Sequence, residues 1–302
     1  MKLPFATYDV FTARKFGGNP LAIVMDADRL STEQMQTIAR EFNLSETIFV
    51  MAPQDAANTA RVRIFFPVGE IPFAGHPTLG CAIHLASRKY KQGCSFETEI
   101  RLEEQAGLVP VKVSRIGDVP RAMLTAPVIP YAVDVPLPSA QEAALALSLT
   151  SGEIGFGNHS IGVHEGGPRF LYVPVKNRAA LITSRVCEPH WSALMQRLGV
   201  DSAYLYTEGG DHAETAFRAR MYSPTAGIPE DPATGSATAL LASQLRASGV
   251  LRDGLNRFRL EQGYEMGRPS DLTLEIGVRE SKLEAVRVAG QAVQVMEGVL
   301  DL

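Results

Sequence analysis

Two rhythms of apolar and polar positions run along the chain, a period of two that marks strands and a period near 3.6 that marks helices. Residues 3–10 and 20–25 read as strands. Ser31-Thr-Glu-Gln34 has the form of a capping box, which predicts a helix from there to about Phe42. Strand patterns follow at 46–51 and 60–66, a helix opens near His76-Pro77 and continues through HLASRKY, and β-rich segments run from about 95 to 126. The stretch APVIPYAVDVPLPSA (126–140) is dense in proline, which removes backbone donors, and it is the expected linker. A second mixed half follows, with helices near 139–148, 188–198 and 233–248 and strands at about 169–175, 203–207, 214–222 and 257–263. Gly249 stands where a residue just past a helix end belongs. The final segment, VRVAGQAVQVMEGVLDL, is strand-like around its glycines and predicts a hairpin.

The two halves share a repeated unit. RVRIFFPVGEIP (61–72) and RARMYSPTAGIP (218–229) align without a gap at a constant offset of 157. Arg61 meets Arg218, Arg63 meets Arg220, Pro67 meets Pro224, Ile71 meets Ile228 and Pro72 meets Pro229. Each copy is followed by a glycine-containing loop and an Ala-rich helix, AGHPTLGCAIHLA and EDPATGSATALLA. Duplication is the expected origin, with the halves packed about a pseudo-twofold axis. That arrangement would turn two helix N-termini towards each other. Each presents free backbone N–H groups and a partial positive charge, a trap for an anion such as a carboxylate.

Composition narrows the possible partners. At 302 residues the chain is long for one core and leans towards two domains, and its 21% charged residues with a net charge of −4 give no reason to expect nucleic acid or an anionic membrane. The three cysteines, Cys81, Cys94 and Cys187, form no C-x-x-C pair, so a reduced, cytoplasmic setting is the simpler expectation. The N-terminal MKLPFATYDVFTARK is interrupted by Asp9 and Arg14, unlike a signal peptide or anchor. No apolar run approaches the roughly 18 residues of a membrane helix. Neither GGNP (17–20) nor the glycines around His76 form a phosphate loop, and no histidine pattern supports a metal site, so no cofactor or metal is expected.

The loops of the repeat carry the candidate chemistry. At the position taken as paired, one half has Ala74 and the other Asp231, with His76 and Ser236 nearby; this asymmetry suits a directional proton transfer. Each residue also has a plain reading. His76 could cap its helix, Asp231 could be a helix N-cap, and Ser236 could be helix packing. Glu46 in NLSETIFV is either an edge carboxylate after a turn or a base partly desolvated by Leu44, Ile48 and Phe49. His84, His159, His164, His190 and His212 show no partner pattern and are expected to be structural or on the surface.

Five segments resemble the PhzF-like isomerases of phenazine biosynthesis: DVFTARKFGGNPLAIV (9–24), IAREFNLSETIFV (38–50), RIFFPVGEIPFAGHPTLGCAIHLA (63–86), RMYSPTAGIPEDPATGSATALLA (220–242) and EQGYEMGRPS (261–270). The resemblance spans about residues 1–300. It implies the α+β fold of diaminopimelate epimerase, two similar halves that are each a β-barrel-like sheet around a central helix. The halves are expected at 1–127 with 289–302 and at 128–288, the last strands crossing back to the first half. It further implies a homodimer and a small carboxylate substrate. Glu46 corresponds to the family's general base, which moves a proton within a dihydro-hydroxyanthranilate ring, and His76, Asp231 and Ser236 correspond to further catalytic residues. Asn19, Ser45, Gly75, Pro77, Thr78 and Gly235 are the implied substrate-binding positions. Related epimerases use two facing cysteines, but the places taken as equivalent hold Ala74 and Asp231, which disfavours a two-thiol mechanism. A cofactor-free epimerase and a non-catalytic binding protein are the alternatives, since a fold alone does not fix function.

Overall fold

The alternating segments of the first half wind into a closed barrel. In the computed structural model, which describes residues 1–91 and 93–302, one unit comprises residues 1–125, 267–271 and 288–302. Its elements are β1 (Lys2–Val10), β2 (Asn19–Val24), α1 (Thr32–Phe42), β3 (Glu46–Met51), β4 (Ala60–Phe65), β5 (Glu70–Ile71), α2 (Gly75–Lys89), β6 (Phe96–Glu104), β7 (Gly107–Arg115) and β8 (Arg121–Thr125). Antiparallel pairs join β1 to β2, β3 to β4, β6 to β7 and β7 to β8, and parallel pairs join β2 to β3 and β4 to β6. The last strand of the chain pairs with both β1 and β8 and closes the eight-stranded ring. Inside runs α2, packed on β1, β2, β3, β6, β7 and β8. Every residue from Gly75 to His84 is buried, as befits a helix surrounded by sheet. Outside lies α1, its Met35 and Ile38 packed with Phe49 and Phe65 and its N-terminus closed by the capping box of Ser31 and Gln34.

The second unit, 126–266 with 272–287, repeats the pattern. It holds β9 (Tyr131–Ala132), α3 (Ala140–Ala146), β10 (Gly162–Glu165), β11 (Arg169–Pro174), α4 (Arg178–Thr183), α5 (His190–Leu198), β12 (Ala203–Glu208), β13 (Thr215–Ser223), β14 (Ile228–Asp231), α6 (Gly235–Ala247), β15 (Gly254–Gln262), most of β16 (Ser270–Arg279) and the start of β17 (Lys282–Asp301). The sequence β10 antiparallel to β11, β11 parallel to β12, β12 antiparallel to β13, β13 antiparallel to β14 and parallel to β15 reproduces that of β1 to β6. Helix α6 packs on β9, β10 and β11 and is buried along most of its length. Trp191 of α5 anchors a separate cluster with Leu171, Val173 and Tyr222.

Three expectations change. The C-terminal segment is no hairpin about its glycines: β17 is one strand of 20 residues. Its glycines admit aromatic rings instead. A Cβ on Gly290 would lie 2.3 Å from the Phe11 ring and one on Gly298 2.7 Å from Phe5. The hairpin turn falls earlier, at Glu280–Ser281, where both residues have positive φ as a two-residue turn requires. The first unit also includes Gly267–Asp271, expected in the second half, and takes up the chain again at Val288.

The third change concerns the repeat. Arg61/Arg218 and Arg63/Arg220 share the offset of 157, but the 3₁₀ turn Pro224–Ala226 lengthens the second copy by three residues. Ile64 pairs with Ile71, whereas its counterpart Met221 pairs with Asp231. From there the offset is 160: Glu70 matches Glu230, Pro72 matches Pro232, Gly75 matches Gly235 and Thr78 matches Thr238. Ala74 is therefore the counterpart of Thr234, not of Asp231. Among the described residues no helix is long and apolar enough to cross a membrane.

Candidate active site

The loop between β1 and β2 delivers the first residue of the site. Gly18 adopts a left-handed φ of 63°, and a Cβ there would sit 2.3 Å from the Val10 carbonyl oxygen, so only glycine makes this turn. Arg268 donates to the carbonyls of Gly17 and Gly18 at 2.6 and 2.8 Å and to Asp9 at 2.6 Å, while Gly18 N–H donates to Pro269. The loop is thus pinned by residues some 250 positions away. Asn19 follows it, fully buried at the start of β2.

His76 is the second residue of α2 and is 3% exposed. Its Nδ1 lies 3.4 Å from the Glu46 carboxylate and 3.4 Å from the Asn19 amide nitrogen. Burial, offset only partly by a hydrogen bond to the Pro20 backbone, pushes the imidazole down to about 3, so the ring is neutral near pH 7. A neutral imidazole holds one proton on two nitrogens. With Nδ1 bare it accepts from Asn19, and the Glu46 carboxylate stands at 3.4 Å from the same nitrogen without a hydrogen bond formed between the two. Glu46 opens β3 and is 7% exposed, a buried carboxyl beside a polar ring. The structure thus brings Asn19, Glu46 and His76 together, residues the sequence placed in three separate segments. His76 is no helix cap: the N-cap is Ala74, with no side-chain hydrogen bond. Pro77 and Thr78 are buried in the same first turn, and Ser45 is half-buried before β3.

In the second unit Asp231 is 5% exposed and ends β14. It is not an N-cap either; that position belongs to Thr234. The Thr234 hydroxyl donates to Asp231 Oδ2 at 2.5 Å. Fully buried Gln262 completes the knot. Its amide nitrogen donates to the Asp231 carbonyl at 2.8 Å and to Thr234 Oγ1 at 2.9 Å, and its oxygen accepts Thr234 N–H at 3.1 Å. Gly235 is buried at the start of α6, with half-buried Ser236 next.

Sequence reading missed Arg268, Thr234 and Gln262 in these roles. The only signal was that Arg268 and Gln262 stand in the segment EQGYEMGRPS. His84, His159 and His164 are structural, as expected, bonded to Tyr8 at 3.2 Å, to Tyr206 at 2.9 Å and to Ser243 and Gln244 at 2.9 and 2.6 Å. Among the described residues no three His, Cys, Asp or Glu side chains gather as metal ligands.

A family model described as phenazine biosynthesis-like protein matches residues 8–298. The chain is 40% identical to an uncharacterized isomerase of Mesorhizobium japonicum, covering 98% of each chain. It is 35% identical to the trans-2,3-dihydro-3-hydroxyanthranilate isomerase of Pseudomonas aeruginosa, covering 97% of this chain and 98% of the relative. A crystal structure of a PhzF-family protein of Bacillus anthracis superposes with a TM-score of 0.88 at 24% identity over the whole of both chains.

Proposed function

The chain belongs to the phenazine biosynthesis-like (PhzF-like) family of isomerases, and from that premise we propose that it shifts a proton, and with it a double bond, on a small cyclic carboxylate resembling trans-2,3-dihydro-3-hydroxyanthranilate. The observation that carries the reading is the Glu46 carboxylate held 3.4 Å from a neutral, buried His76. In this reading Glu46 takes a proton from the activated carbon of the substrate. His76, uncharged, orients the carboxylate and can relay a proton through its single N–H without first becoming a cation. Asn19 holds the ring in place. Asp231, bonded to Thr234, is proposed as a second proton-carrying group, with Ser236 beside it in sequence. The backbone N–H groups at Gly75, the first residue of α2, and those at Gly235, the first residue of α6, are each proposed as anion-binding groups of their own unit.

A two-thiol epimerase reading finds no support in the corrected register. The N-caps of the buried helices are Ala74 and Thr234, and Cys81 lies deeper in α2, its thiol pushed up by burial and by nearby Glu104.

The test is solvent-deuterium incorporation into trans-2,3-dihydro-3-hydroxyanthranilate and a panel of other small carboxylates, read by mass. A positioned base contributes about 10²–10⁴-fold in rate. Glu46→Gln is expected to lower incorporation by that factor. Equal incorporation by wild type and variant would remove Glu46 from the role.

A further inference from the structure

The first turn of α2, which carries Gly75 and His76, is closed by a hydroxyl with too few protons for its contacts. Thr78 Oγ1 lies 2.6 Å from the Ala74 carbonyl oxygen and 2.6 Å from Glu104 Oε1. A hydroxyl has one hydrogen to donate. If Glu104 were ionised, both neighbours would be pure acceptors, and one 2.6 Å contact would hold no proton. If Glu104 carries the proton, both contacts are satisfied: Glu104 donates to Thr78, and Thr78 donates to Ala74.

Two further observations agree. Glu104 is 8% exposed, and its second oxygen is buried without a hydrogen-bond partner among the described residues. That is tolerable for the carbonyl of a neutral acid and costly for a carboxylate. No Lys, Arg or His side chain among the described residues ion-pairs with it. Its partner across β7 is Gly107, the strand β4 pairs with β6 only through Ala60 and Arg61 to Leu102 and Glu103, and the titratable group near it on α2 is the Cys81 thiol. Burial pushes Glu104 up to about 8, the Thr78 contact offsetting it in part.

The repeated unit supplies an internal control. Arg61 pairs with Glu103 across β4 and β6, and Arg218 pairs with Glu261 across β13 and β15. The next residue is Glu104 in one unit and Gln262 in the other. Gln262 also braces the first turn of its buried helix, at Thr234. A protonated glutamic acid is the isostere of glutamine, with one donor on a planar head.

We propose that Glu104 is a positioning residue of the isomerase that works as a neutral acid, its proton locking Thr78 onto Ala74 and so fixing the turn that presents Gly75 and His76. When Glu104 ionises it can only accept, the Thr78 proton turns to it, and the Ala74 carbonyl keeps only the Thr78 N–H bond, long at 3.3 Å. The turn then loosens. The proposal gives meaning to the site as read above, but its test needs no substrate, so its failure and that of the proton-shift reading are separable.

Two measurements on the intact protein decide it. Infrared spectra of wild type minus Glu104→Gln at neutral pH should show the carbonyl stretch of one protonated carboxyl. In wild type that band should titrate away near pH 8. The ¹⁵N resonances of His76 should shift with the same midpoint in wild type and stay at their low-pH positions in Glu104→Gln, while Glu104→Ala should displace them at every pH. A carboxylate band for Glu104 at neutral pH, or a His76 profile unchanged by Glu104→Gln, would overturn the proposal. If the variants do not fold, titration of the wild-type carboxyl band still decides: its absence at neutral pH refutes the neutral acid.

Discussion

The two units use one plan and fill it with different chemistry. In both, a strand arginine forms a two-pronged pair with a glutamate just beyond the following turn. Arg63 meets Glu70 at 2.7 and 2.6 Å, and Arg220 meets Glu230 at 2.8 Å twice. The second arginine does more. Its Nη1 also donates to the carbonyls of Leu181, Ile182 and Ser184 at 3.0, 3.1 and 3.0 Å, capping the C-terminus of α4. Its side chain is 4% exposed against 28% for Arg63. In both units a glutamate then clamps a loop. Glu103 accepts from Gln54 N, Asp55 N and Asn58 Nδ2, and Glu261 accepts from Asp211 N, His212 N and Thr215 Oγ1, with loop positions again 157 apart. The divergence lies one residue on, where an acid stands behind α2 and an amide behind α6. The repeat shares the frame that positions the buried helices and differs in the groups touching their first turns.

The largest expected effect tests the arginines. Arg220→Ala strands a mostly buried carboxylate and three helix-end carbonyls and should cost about 3–5 kcal/mol, whereas the half-buried equivalent, Arg63→Ala, should cost about 1 kcal/mol. Urea unfolding of both variants checks this, and equal losses would erase the contrast. Next comes the amide. Gln262→Glu cannot supply both donated bonds, so Asp231 O or Thr234 Oγ1 loses a partner, and stability should fall by about 1–3 kcal/mol. The reverse exchange, Glu104→Gln, should be close to neutral at mildly acidic pH.

The pH dependence of stability gives a finer comparison. Glu104 is raised from 4.5 to about 8, so its contribution is whole below pH 4.5 and is lost as pH rises to about 8. His76 is lowered from 6.5 to about 3, so its contribution is whole above pH 6.5 and is lost as pH falls towards 3. The two slopes oppose each other between pH 4.5 and 6.5, where stability should be level as far as these groups are concerned. From there to pH 8 the wild type should lose about 2 kcal/mol at 1.36 kcal/mol per pH unit for one proton. Glu104→Gln should abolish that alkaline loss and keep the acid one, as chemical unfolding at several pH values would reveal. An alkaline loss that persists in the variant would assign it to another group.

Local signals were legible in the chain itself. The capping box of Ser31 and Gln34 spans four residues, and both of its bonds form. The loops with His76 and Asp231 announced buried helices because a strand, a turn and an Ala-rich stretch recur in order. The register of that repeat was misread by three residues beyond the strand, since an ungapped match cannot show a turn that inserts a 3₁₀ segment. The loop clamps of Glu103 and Glu261 left almost no trace. Most of their partners are backbone N–H groups, which any residue supplies, so Gln54-Asp55 and Asp211-His212 share a role without sharing identity.

What the sequence by itself determined is the list of parts: two related halves, their strands and buried helices, and Glu46, His76 and Asp231 as candidates for proton chemistry. Only the tertiary structure decided how those groups are tuned. Closing the barrel takes His76 out of water and makes it neutral beside Glu46, and it sets Glu104 against Thr78 with one proton too few unless the acid keeps its own. Both outcomes depend on desolvation and on distances between residues far apart in the chain, and neither is a property of any local stretch of residues.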